Sequence, residues 1–434
     1  MNLVPAHGGR SAASGASSSL PDIDGHRLLT RIRELARIGA DSRGGVTRPG
    51  FSAADRQGIA YVTEQARQAG LVATVDQAGN LVVRQPDSAP GRRQALLMGS
   101  HLDTVIHGGA LDGAYGVLAA LEVLQSLGDH GARMRYEPVV IAFANEEGAL
   151  FPCPFWGSLA VTGELQYTPD ELLDRSGGSL REPLRAVGGD PDAVTAAQWA
   201  TGSIGAYLEL HIEQGPVLER GGDQIGVVEG ITCRTVITVA VHGEAGHAGT
   251  VPMDLRADAL AAASRVVLAA EDVARRGLCT VATVGRFQVD PDVTNVIPGV
   301  VRLTVDLRDL SETRLQEAER AFADELAKVG ARTGTRIEAS VTDRYPGSIA
   351  DRGLRAAIGD AADDLGLSRT DLPSGAGHDA QIIASVAPVG MLFVPSRGGS
   401  SHVPEESTGD DDLVAGARVL LRTAVRVGEL DQAF

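Results

Sequence analysis

The sequence predicts an α/β protein. A catalytic domain with a mixed sheet flanked by helices is built from two chain segments and interrupted by a smaller inserted α+β domain of ferredoxin-like order. Three observations predict this. From about residue 70 to 230, short apolar runs alternate with helical ones. Between 233 and 343 the order changes to β-α-β-β-α-β, and after 347 the α/β texture resumes. The expected boundaries are 21–229 with 345–434 for the catalytic domain and 230–344 for the insert. At 434 residues the chain exceeds what one ordinary core organises.

Taken in order, residues 1–20 are small and polar, lack the apolar stretch of a signal peptide, and read as a disordered tail. Helical periodicity begins near Asp22, in HRLLTRIRELARIG, and again over 53–70. Residues 95–98 and 138–144 are apolar enough for buried strands. The stretch 116–127, GVLAALEVLQSL, is apolar all round, which suits a helix buried on every side. Within the insert, 235–241 is a strand, 254–274 an alanine-rich helix, and 279–284 and 300–307 are strands. A helix over 311–329 and a strand over 336–341 complete it. A helix over 351–365 and an apolar strand over 389–394 follow.

Composition narrows the function. Hydrophobic residues at 43% and charged residues at 22% are ordinary globular values. No run reaches the roughly 18 uninterrupted apolar residues of a membrane helix, so no membrane partner is expected. A formal charge of −17 would repel nucleic-acid phosphates. Cys153, Cys233 and Cys279 are odd in number and far apart, so neither a disulfide framework nor a CxxC site follows. The expected location is the reducing cytoplasm. Lys328 is the only lysine, which argues against Schiff-base chemistry. SGAGHD and GGALDG precede no GKS or GKT and are not phosphate loops; no HExxH, GxSxG or Rossmann fingerprint occurs.

Five short segments carry metal-binding residue types. In MGSHLDTV, His101 and Asp103 point to one side of an extended chain. His101 can then meet a metal while Asp103 holds its other ring nitrogen; alone, an HxD is equally a turn or a surface pair. Asp112 lies in GGALDGAYGV, where flanking glycines let backbone approach a cluster, and where an aspartate is also an ordinary helix N-cap. In VVIAFANEEGALF a buried strand leads to adjacent carboxylates, Glu146 and Glu147, whose side chains diverge. One can bind metal while the other faces substrate as a base, or both can sit in a solvated loop. LELHIEQG and GGSSHVPEE place His211 and His402 at or beyond the ends of apolar strands. Only tertiary folding can unite these with His101.

The ordered set HLDTV, GGALDG, ANEEG, LELHIEQG, GEAGHAGTVPM, TNVIPG, SGAGHDA and GGSSHVPEE resembles the M20 amidohydrolase family, in its N-carbamoyl-amino-acid hydrolase, β-ureidopropionase and allantoate amidohydrolase branch. The resemblance runs from about Asp22 to the C-terminus and includes GGVTRPGFSAADRQG. It implies a zinc-exopeptidase-like catalytic domain, an insert serving as lid and dimerisation domain, and a homodimer. It also implies two divalent ions per subunit, with His101 and His211 on one, Glu147 and His402 on the other, and Asp112 bridging. Histidine and carboxylate ligands suit zinc, manganese, nickel or cobalt.

In the same reading the catalytic residues are Glu146, the general base, and Asp103. The substrate is a small ureido or amide acid held by Gln214, His247, Asn295 and Arg308, the last clamping its carboxylate. His211 points to the carbamoylase and ureidase branch, because the family's peptidases usually carry a carboxylate there. Arg308 otherwise reads as plain strand surface, and His247 as a strand end. The chain departs from the family pattern at Leu150, Gly246, Ile106-His107 and the run FPCPFWGS (151–158), all expected to line the pocket and to bear on substrate choice.

Overall fold

The computed structural model describes residues 21–88, 91, 93–132 and 134–429. The expected N-terminal tail lies outside them. Along the chain, strands β1 (Val72–Val75), β2 (Leu81–Arg84), β3 (Ala95–His101), β4 (Glu137–Phe143), β5 (Ile204–Ile212) and β6 (Ile225–Ile231) belong to one large sheet. Strands β7 (Cys233–His242), β9 (Val281–Asp290), β11 (Val300–Asp309) and β12 (Arg336–Tyr345) form a second sheet. The short β8 (Gly246–His247) and β10 (Val296–Ile297) pair as a separate ribbon. The large sheet is completed by β13 (Ser348–Ile349), β14 (Arg369–Ser374) and β15 (Val389–Val394).

The large sheet has the order β1-β2-β4-β3-β5-β15-β6-β13, with β14 also on β6. The sheet is mixed, as predicted, but its middle is not: β4, β3, β5 and β15 run parallel. Buried on both faces, these strands read as continuous apolar runs. Their carboxyl ends fall on one edge of the sheet, where open α/β folds place ligand sites.

The apolar helix spans Ala114–Asp129 and packs on this sheet, with Val117, Leu121 and Leu124 fully buried. Gly116 lets it come close: a Cβ there would lie 2.2 Å from the Leu210 carbonyl oxygen. This contact seats the helix start, and Asp112 just before it, against the end of β5.

The second sheet is antiparallel in the order β12-β7-β11-β9, and the chain visits it as β-α-β-β-α-β. Helices Ala259–Arg275 and Glu312–Thr333 cover one face. Val239, Val241, Leu303, Val305, Leu307, Val266 and Phe322 form a core of their own there. The first helix starts later than its sequence suggests. Asp258 caps it by accepting from the Leu260 and Ala261 N–H groups, while Asp254 lies in a separate turn, Met253–Leu255. The opposite face of the sheet, which carries Arg234, Asp306 and Arg308 at every second residue, turns towards the large sheet's carboxyl edge and lines the cavity described next.

Among the described residues no helix is long and apolar enough to cross a membrane, and the three cysteines are buried and unpaired.

Candidate metal centre

A cavity of about 310 Å³ opens at the carboxyl ends of β3, β4 and β5, and His101, Asp112, Glu146, Glu147, His211 and His402 all line it. The backbone delivers each differently. His101 is the last residue of β3, three beyond the predicted run 95–98, and His211 lies near the end of β5. Glu146 and Glu147 follow β4 in a turn where Asn145 takes a φ of 54°. His402 sits in the loop beyond β15 with a φ of 61°, and its side chain is half exposed.

The donor atoms fall into two groups, His101–Asp112–His211 and Asp112–Glu147–His402, each with all its atoms within 4.8 Å of one another. Asp112 belongs to both. His211 Nε2 lies 3.0 Å from Asp112 Oδ1, and His402 Nε2 lies 2.9 Å from Oδ2 and 3.4 Å from Glu147 Oε1. The Nδ1–H groups of His101 and His211 donate at 2.9 Å to the carbonyls of Asp103 and Ile212, which turns both Nε2 atoms to the cavity. Gly113 permits the crowding: its φ is +63°, and a Cβ would stand 2.4 Å from the His101 ring. Glu147 Oε1 is buried and makes no well-formed hydrogen bond, its contact being His402 Nε2 at 3.4 Å, a position that favours a positive charge beside it. Imidazole and carboxylate donors fit a divalent cation at either group, and the under-bonded Glu147 oxygen belongs to the second.

The acids favour a proton on His211 and on His402. Burial works to raise the Asp112 carboxyl, yet the hydrogen bonds from His211 and His402 hold it well below its usual range. Burial also opposes a proton on His211, but the Asp112 bond prevails and raises it to about 9. Asp112 and Glu147 together raise His402 to about 11. Glu146 belongs to neither donor group; its Oε2 is 3.8 Å from His101 Nε2. Burial, then the charges of Glu147, Asp379, Asp103 and Asp112, push its carboxyl well above the carboxylate range.

Asp103 acts differently from the extended-chain expectation. The strand ends at His101 and the chain turns, so it is the Asp103 carbonyl that holds His101 Nδ1, its carboxylate being 3.7 Å away. That carboxylate instead accepts the N–H groups of Glu146 and Glu147, at 3.1 and 3.2 Å, and fixes the turn presenting both acids. Burial raises its carboxyl to about 6. Asp112 is not a helix N-cap either; Gly113 takes that position.

Two buried residues with no assigned sequence role support the cluster. Glu406 accepts from the N–H groups of Leu111 and Asp112 at 2.9 and 3.0 Å and from Ser401 Oγ at 2.9 Å, tying the Asp112 loop to the His402 loop. His378 packs its ring 4.7 Å from that of His211, and burial, then the His211 charge, holds it well below its usual pKa. The motifs HVPEE and SGAGHD contained both, but neither revealed its partner.

The substrate-residue expectations divide. Gln214 and Arg308 line the cavity, and Gln214 Nε2 donates to both oxygens of Asp112 at 3.1 Å. His247 and Asn295 are exposed side by side on the β8–β10 ribbon and are not among the residues lining the cavity. The single-chain cavity therefore lacks them, and the ribbon that carries His247 is a sheet separate from both larger ones. Of the sequence departures, only Pro154 and Phe155 of the 151–158 run line the cavity. Leu150 packs on the main core, and His107 pairs with Asp41 at 2.7 Å.

The chain is similar to known proteins along most of its length. The family model described as Peptidase family M20/M25/M40 matches residues 97–426. The chain is 38% identical to an N-carbamoyl-L-amino acid amidohydrolase of Geobacillus stearothermophilus, over 94% of this chain and 99% of the relative. It is 36% identical to a probable allantoate deiminase of Oryza sativa subsp. japonica, over 91% and 86%. The crystal structure of a hydantoinase/carbamoylase family amidase from Burkholderia ambifaria superposes with a TM-score of 0.87 at 37% identity, covering 95% of this chain and all of that one.

Proposed function

Because the chain belongs to peptidase family M20/M25/M40, and so is a hydrolase of amide-type C–N bonds, we propose that its reaction is hydrolysis of the carbamoyl C–N bond of an N-carbamoyl-L-amino acid. The observation that carries this is Asp112, one carboxylate shared by two three-donor groups, with Glu146 alongside and outside both. The 38% identity to an N-carbamoyl-L-amino acid amidohydrolase, over 94% of the chain, supports the substrate class.

His101 with His211, and Glu147 with His402, would hold two divalent cations bridged by Asp112. When bound, such ions make water a better nucleophile and polarise a carbonyl. Glu146 takes the proton from the attacking water and returns it to the leaving nitrogen. Asp103 holds the Glu146–Glu147 turn in place. Gln214 steadies Asp112 and faces the substrate, and Arg308 meets its carboxylate. The products are the amino acid, carbon dioxide and ammonia. A second reading, with allantoate as substrate, has the support of the 36% identical deiminase, since allantoate also joins a ureido group to a carboxylate.

An ammonia-release screen over N-carbamoyl-L-amino acids, N-carbamoyl-β-alanine and allantoate, with manganese and zinc supplied separately, tests both. Turnover of a ureido acid that stops on chelation is expected; metal-loaded protein releasing no ammonia from any of them would sink the reading.

We read 21–229 with 345–434 as the catalytic domain and 230–344 as a lid that also forms a homodimer. The split substrate residues support this. Gln214 lies on the large sheet's edge and Arg308 on the small sheet, while exposed His247 and Asn295 need closure, or a second copy, to reach a substrate. Small-angle scattering should show a smaller radius of gyration when a non-hydrolysable ureido acid is added; an identical radius rules closure out. The three unpaired cysteines support a reducing, cytoplasmic setting.

A further inference from the structure

Arg234 stands on β7 directly opposite Arg308 on β11, and both side chains line the cavity that contains the metal-binding residues. Two like charges at facing positions of an antiparallel pair repel, with Cβ atoms only about 5 Å apart. One carboxylate offsets them. Asp306, two residues along β11, accepts from Arg234 Nε at 2.7 Å and from Arg308 Nε and Nη2 at 2.9 and 3.1 Å. Two cations against one anion leave this trio with one net positive charge.

The donors are unequally committed. A guanidinium has five N–H donors. Arg308 spends three, two on Asp306 and one, through Nη1, on the Gly375 carbonyl. Arg234 spends only its Nε–H, and neither of its Nη nitrogens has a hydrogen-bond partner among the described residues. Its guanidinium lies 5.3 Å from the centre of the Tyr345 ring, which also lines the cavity and limits its swing.

We propose that Arg234 is the second arm of the substrate carboxylate clamp, so that the carboxylate sits between Arg234 and Arg308 and neutralises their residual charge. The inference deepens the proposed function and rests on it for the identity of the substrate. It also explains the facing arginines: a repulsion retained in the free protein becomes attraction for an anion when substrate enters. A purely structural Arg234, holding Asp306 and nothing else, would be blind to whether the ligand is charged.

The test compares the N-carbamoyl-L-amino acid turned over fastest with its carboxamide, in wild type, Arg234→Gln and Arg234→Lys. A lost charge-assisted contact is expected to raise KM for the acid by about 10- to 100-fold, with kcat moving far less. The penalty on the acid should exceed that on the amide at least about tenfold, and Arg234→Lys should recover part of it. Equal penalties on acid and amide, or an unchanged KM for the acid, overturn the clamp. If wild type hydrolyses no ureido acid, the proposed function falls separately, and the clamp is then read from calorimetric binding of the same pair to manganese-loaded protein. Wild type must prefer the acid and Arg234→Gln must erase that preference; no preference in wild type overturns it.

Discussion

Glu146→Gln is expected to keep its metal content and to lose turnover by at least about 10²- to 10⁴-fold, the usual worth of a positioned acid–base group. The substitution preserves size and hydrogen-bonding shape but removes the proton acceptor. Metal should stay because Glu146 is in neither donor group, its Oε2 standing 3.8 Å from His101 Nε2. The neutral amide even relieves the crowding with Glu147, Asp103 and Asp112 that raises the Glu146 pKa, so the fold should not suffer. Elemental analysis and kcat on one preparation decide the matter. Near-normal turnover removes Glu146 from its role, and loss of metal would make it a ligand.

Asp112→Asn should have the opposite profile, with metal content and turnover falling together. It is the one carboxylate common to both groups. His402→Ala removes a donor from a single group and should spare the other, whereas Asp112→Asn takes the negative charge from both. Changing a residue that merely supports a ligand already costs about 10- to 100-fold in metal affinity, so a shared ligand should cost more than about 10²-fold. The local backbone should survive, since Glu406 holds the Leu111 and Asp112 N–H groups without the Asp112 side chain. Metal titration of the purified variant gives the answer; wild-type affinity for two ions per chain would refute the bridging role.

How much of this was readable in advance depends on how local each signal is. The all-apolar run that became Ala114–Asp129 and the β-α-β-β-α-β order are carried by neighbours in the sequence. The His101–Asp103 pair failed at short range, because the strand ended at His101 and a two-residue periodicity no longer applied. Arg234 was not legible at all. It meets Arg308 only because β7 and β11 pair in one particular register, and a shift of one residue would have turned it to the helix-covered face.

By itself, then, the sequence determined the residue types at the centre, their order, and the local elements that carry them. The family resemblance proposed the grouping of those donors. Only the tertiary structure decided that His101, His211, the Glu146–Glu147 turn and the His402 loop share one edge. The alignment of β4, β3, β5 and β15 as parallel neighbours brings their carboxyl ends together. It also left His247 and Asn295 outside the cavity, at the separate β8–β10 ribbon. The physical reason is range. Backbone periodicity reports a few residues to either side, whereas strand order and register follow from burying apolar surface contributed by the whole chain.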